Sequence, residues 1–179
     1  MVPTGFAAYA RIANNELSNG LLEHRGATAL AEILSNHTSR PDACWFCLWD
    51  GYGYLHPGGM AWMVAARPPF ARLHRAFRLF QLRWSRPRVS EFRDQPRVRL
   101  PNRDYLLFSG AVSDAAGWDD GPNLWWPDDR AWCVASEIDL DDTFIGGPEP
   151  LIAHLLANPT LNALTASLND PLIQTKSGS

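Results

Sequence analysis

Lysine is almost absent from this 179-residue chain: Lys176 is the only one, against fifteen arginines. A basic partner surface would therefore have to be built from guanidinium groups, and part of the arginine excess is what a GC-rich coding bias produces. Cysteine is scarce too. Three thiols in a chain of this length do not make a disulfide framework, so the expectation is a reducing compartment. No apolar run approaches the 18 or so residues of a spanning helix, and the start, MVPTGFAAYARIANN, has no basic segment followed by an apolar one. The sequence is thus read as cytoplasmic. It also lacks a Ser-His-Asp signature, HExxH, a phosphate-binding glycine loop and a dinucleotide fingerprint.

The composition is that of a globular protein, with 46% hydrophobic and 20% charged residues. A chain this long buries roughly two thirds of the surface its unfolded form exposes, so it needs no covalent staple. Residues 1–173 are read as one α+β domain containing an arginine-rich insertion at 67–97, and 174–179 as a disordered tail. The net charge of −3 conceals an asymmetry. Between Arg67 and Arg103 eleven arginines face only Glu91 and Asp94, a net of +9, while the remainder carries five basic and seventeen acidic residues. The plain explanation is mutual neutralisation, with arginine forks on carboxylates.

Local patterning predicts short alternating elements: strands over Phe6–Ile12, Cys44–Trp49, Met60–Ala66, Val98–Leu100, Tyr105–Phe108 and Ala131–Leu140. Leu30, Ile33, Leu34 and His37 recur at helical spacing behind Thr28 as N-cap, and a second helix is predicted over Leu151–Ala157. The segments between strands are too short for repeated crossover helices. The fold class expected is α+β, a mainly antiparallel sheet of four to six strands with two or three helices on one face.

Four constellations carry possible chemistry. Cys44 and Cys47 form a CxxC, but on a strand residues three apart face opposite sides, so the pair reads as core thiols and not as a redox or zinc site; Cys133, His37 and His56 are the other donors zinc would need. Glu137 and Asp139 on the strand Ala131–Leu140, with Asp141 continuing the alternation just past its end, would share one face opposite Trp132, Val134, Ser136, Ile138 and Leu140. With Asp142 in the following turn, Glu137, Asp139 and Asp142 are the candidate ligands of a hard cation. Phe70–Trp84 reads as a basic amphipathic helix with Arg72, Arg75, Arg78 and Arg83 on one side, suited to a partner groove, a nucleic-acid backbone or an anionic membrane surface. Finally, Trp125 and Trp126 are adjacent, so on a regular strand only one can face the core. With the turn Asp128, Asp129 and Arg130 they form the candidate contact surface.

The stretches DACWFCLWDGYGYL, PRVRLPNRDYLLFSGAV and PNLWWPDDRAWCVASEIDLDDTFIGG, followed by LIAHLLANPTLNAL, resemble a family of uncharacterised actinobacterial proteins. Together they cover about half the chain. The resemblance implies a high-GC bacterial, cytoplasmic protein and carries no catalytic residue; Gly58–Val89 departs from its pattern. The reading that accounts for most of these residues is a small intracellular protein-interaction module without cofactor or catalysis. The alternatives are a metal-assisted hydrolase using Glu137, Asp139 and Asp142, and nucleic-acid binding through the arginine-rich 67–103 segment.

Overall fold

The computed structural model describes residues 3–17, 23–52, 55, 95–118, 121–137 and 139–168. The expectations for a strand over Met60–Ala66, the helix Phe70–Trp84 with its four arginines, and the 174–179 tail lie outside the described residues.

The class is α+β, with three α-helices among the described residues: α1 (Asn14–Leu17), α2 (Glu23–Ser35) and α3 (Glu149–Ala157). The strands are β1 (Ala8–Ala13), β2 (Cys44–Trp49), β3 (Arg97–Leu100), β4 (Arg103–Gly110), β5 (Leu124–Pro127), β6 (Cys133–Ala135), β7 (Asp142–Gly147) and β8 (Leu164–Thr165). They hydrogen-bond in the order β3-β4-β2-β5-β6-β7-β1-β8. Eight strands replace the four to six expected. The difference has a physical origin: β5, β7 and β8 lie outside the predicted strands, and short strands carry too few residues to show a period. The chain resolves into two compact units, Met1–Phe46 with Ser109–Ser179, and Cys47–Phe108.

In the first unit β1 runs antiparallel to β7 and β8, and β6 to β5 and β7. The Asp128 amide donates to the Ala43 carbonyl at 2.9 Å, and the Phe46 and Trp125 rings stack 6.0 Å apart. Both contacts fit an antiparallel register between the neighbouring β2 and β5 with Phe46 opposite Trp125 and Trp45 opposite Trp126. α2 buries Leu30, Ile33 and Leu34, the predicted stripe, but begins at Glu23, so Thr28 is an exposed interior residue and not the N-cap. α3 starts behind Pro148 with Pro150 in its first turn, where a missing N–H costs nothing, and buries Leu151, Ile152 and Leu155. Trp132 joins the layers. Fully buried, it donates from Nε1 to the Leu34 carbonyl at 3.0 Å and meets Trp125 edge-on at 5.2 Å.

In the second unit β3 and β4 form a hairpin whose closing pair, Leu100 opposite Arg103, leaves Pro101 and Asn102 as the turn, close to the sequence expectation. Tyr105 and Leu106 are buried there. The Arg103 guanidinium lies 5.1 Å from the centre of the Trp49 ring, and Arg97 Nε donates to Asp50 Oδ2 at 3.3 Å. Arg97 on Asp50 is a neutralising pair of the kind expected of the basic segment, whereas Arg103 lies over a ring.

Candidate functional site

Of the predicted strand Ala131–Leu140 only β6, Cys133–Ala135, is strand, and the next strand begins at Asp142. Cys133 pairs with Gly146, Val134 with Ile145 and Ala135 with Phe144, so β6 and β7 form a hairpin and the acidic run is its connection. The loop is held from beneath: Ser136 N donates to the Asn123 carbonyl at 2.7 Å, and Thr143 Oγ1 donates to Asn14 Oδ1 at 2.8 Å. This overturns the shared carboxylate face. Glu137 is buried, Asp139 and Asp141 are exposed, and Asp142 accepts from Arg11 Nη1 at 2.9 Å. Among the described residues no three His, Cys, Asp or Glu side chains are grouped to hold a metal ion. The candidate ligand set Glu137, Asp139 and Asp142 is therefore not assembled.

Cys44 and Cys47 both lie on β2, buried and unbridged. Burial, the largest cause, pushes the Cys44 thiol up to about 12, and burial alone pushes Cys133 up to about 12. A thiol that stays protonated is a poor nucleophile at neutral pH.

The residues that do converge lie where the β5–β6 turn meets the connection from α2 to β2. Pro127 fixes the start of the turn, the Arg130 amide closes it on the Pro127 carbonyl at 2.9 Å, and Arg130 takes the left-handed conformation at φ 56°. Asp128 and Asp129 thus point from a tight corner. Asp129 accepts from Thr38 Oγ1, Ser39 N and Ser39 Oγ, each at 2.8 Å, and from its neighbour Ala131 N at 3.2 Å. Partial desolvation opposes its charge. The hydrogen bonds from Ser39, Thr38 and Ala131 outweigh that penalty and hold the carboxyl below the ordinary aspartate value of 3.8. Asp128 accepts from Trp45 Nε1 at 3.2 Å and lies 3.8 Å from Arg40 Nη2, an exposed pair worth little in stability.

Of the candidate surface residues, Trp125 is in the core at 4% exposure, Trp126 is half-buried opposite Trp45, and Asp128, Asp129 and Arg130 are exposed. Sequence reasoning missed Thr38, Ser39 and Arg40, which meet Asp128 and Asp129 only through the fold. His37, which the helical pattern singled out, touches His154 of α3: His37 Nε2 and His154 Nδ1 are 3.2 Å apart, rings edge-on with centroids at 5.5 Å. Desolvation, then the neighbouring His154, lowers the His37 pKa below 6.5. No linear spacing connects residues 117 apart.

Asp129→Ala is expected to lower stability by about 1–2 kcal/mol at pH 7, since water replaces part of what the exposed hydroxyls lose. A folded-state pKa held down stabilises above the unfolded value and is lost as pH falls through the folded one. Chemical denaturation of wild type and Asp129→Ala should accordingly differ by a constant amount at neutral pH and converge below 3.8. An equal gap across that range would refute the assignment.

Among the described residues no helix is long and apolar enough to cross a membrane. Comparison with known proteins finds no relative: no protein-family model, curated protein or solved structure matches the chain.

Proposed function

We propose that this chain is a small intracellular protein-interaction module and that the surface around Trp126, Asp128, Asp129 and Arg130 is its contact face. The observation that carries the reading is the bracing of Asp129 by Thr38 and Ser39, which fixes the β5–β6 turn beside a half-buried tryptophan. Such a surface has the ingredients of a binding hot spot, a large aromatic and a guanidinium with charged groups around them. Because the turn is already ordered, little conformational entropy remains to be lost on association. Trp45 opposite Trp126 widens the aromatic part and ties it to Asp128. Within the cluster the Ser39 hydroxyl donates to the Asp129 carboxylate beside the Ser39 amide, an arrangement that braces the turn.

The test is native mass spectrometry of the full chain isolated from its own cells, beside a Trp126→Ala variant. Wild type is expected to carry a stoichiometric protein partner, and Trp126→Ala to weaken that complex at least about tenfold, a loss of about 1.4 kcal/mol. Thermal unfolding of the variant should change little, because Trp126 does not fill the core. Wild type recovered only as a bare chain, or a partner retained equally by the variant, would sink the proposal.

A further inference from the structure

Two histidine rings from different helical elements approach one another on the surface of the first unit, and the contact described so far does not explain why. His37 stands in the turn that closes α2, its amide donating to the Leu34 carbonyl at 3.1 Å. His154 is on the exposed side of α3, which is in contact with α2 and buries Leu151, Ile152 and Leu155. Both backbones are thus fixed by the core beneath them. The two nitrogens that face each other, His37 Nε2 and His154 Nδ1, are 3.2 Å apart.

That separation has a second meaning besides a hydrogen bond. Two imidazole nitrogens bound to one zinc ion at about 2.0–2.1 Å with a tetrahedral angle between them lie about 3.3 Å apart. At the right angle of a square-planar copper site the same bond lengths bring them to about 2.8 Å. The observed distance is nearer the tetrahedral edge. We propose that His37 Nε2 and His154 Nδ1 form a two-point site for a zinc-class dication, with water completing the coordination.

The chemistry is consistent at each atom. Neutral imidazole is the ligand form, and the proton now shared between the rings needs only to move to the far nitrogen of its own ring, so a neutral pair loses no proton on binding. Imidazole donors favour zinc, copper and nickel over magnesium and calcium, which require oxygen. Among the described residues no third His, Cys, Asp or Glu joins the pair, so the ion keeps open positions. A site held by two protein ligands is reversible and exchangeable, unlike a closed structural zinc. The inference does not depend on the interaction reading.

The experiment is titration of the reduced full chain with zinc ion alone, in competition with a chromogenic chelator, for wild type, His37→Ala and His154→Ala. Wild type is expected to bind zinc with an affinity component that each single variant weakens at least about tenfold, while the double variant is no weaker than either, since losing one ligand already abolishes the chelate. Nitrogen-detected NMR of the imidazoles supplies an independent reading that needs no variant: zinc should shift His37 Nε2 and His154 Nδ1. Absence of binding by wild type, unchanged affinity in both variants, or shifts confined to His24, His56 and His74 would overturn the proposal.

Discussion

Trp132→Ala should lower the stability of the protein by about 3–5 kcal/mol, the range for truncating a large aromatic in a core that cannot collapse around the loss. In a chain of this size that corresponds to a fall in Tm on the order of 10 °C. Three contacts are lost at once. The indole fills fully buried space, it meets Trp125 at 5.2 Å, and its Nε1 donates to the Leu34 carbonyl near the end of α2. Trp132→Phe separates these contributions, because phenylalanine keeps most of the ring volume and forfeits the donor. Leu34 O still receives the His37 amide at 3.1 Å, so that carbonyl is not orphaned. The phenylalanine variant should therefore cost about 1–2 kcal/mol. Thermal unfolding followed by far-UV circular dichroism measures both, and a Trp132→Ala variant melting within about 2 °C of wild type would show that this ring does not join sheet and helix.

The second large effect is expected at Gly146, in β7 directly opposite Tyr9 of β1. A Cβ there would lie 2.6 Å from Phe6 Cδ2 and 3.0 Å from Tyr9 Cε1. The two aromatic rings occupy the space the missing side chain leaves. Phe6 is partly exposed and can swing away, but the Tyr9 hydroxyl accepts the Phe6 backbone amide at 3.0 Å, which holds the Tyr9 ring in place. Replacing a strand glycine relieves about 0.5–1 kcal/mol of backbone entropy, whereas overpacking costs about 1–3 kcal/mol. The steric cost prevails. Gly146→Ala should be mildly destabilising, and Gly146→Val, with two further methyl groups, should lose about 2–3 kcal/mol in urea unfolding. A Gly146→Val protein as stable as wild type would mean the rings do not hold this position.

What the sequence disclosed follows from how local each signal is. β2 was legible to the residue because Cys44–Trp49 is an unbroken apolar run closed by Asp50 and Gly51. The buried stripe of α2 was legible as well, though its start was not, since the first turns contribute little to the apolar period. The β6–β7 hairpin was hidden by its own regularity. WCVASEIDL alternates like one long strand, whereas only its CVA is strand, and the connection to β7 is tied down by Thr143 of β7 itself and by Asn14 and Asn123, which come from two other places in the chain. With that hairpin went the supposed convergence of Glu137, Asp139 and Asp142. The contact surface was half legible. Adjacent tryptophans divide between core and surface by strand geometry alone, whereas the bracing of Asp129 by Thr38 and Ser39 spans about 90 residues and leaves no linear trace.

The strand order ends on β8, and β8 is two residues long. An exposed strand border offers its unpaired backbone groups to any extended chain that passes, and long flat borders are where ordered aggregates are seeded. Here the template measures only about 7 Å, enough for one pair of hydrogen bonds. Leu164, 57% exposed on that border, would otherwise invite such recruitment. The brevity of this last strand is thus a guard against fibril growth from that side of the first unit.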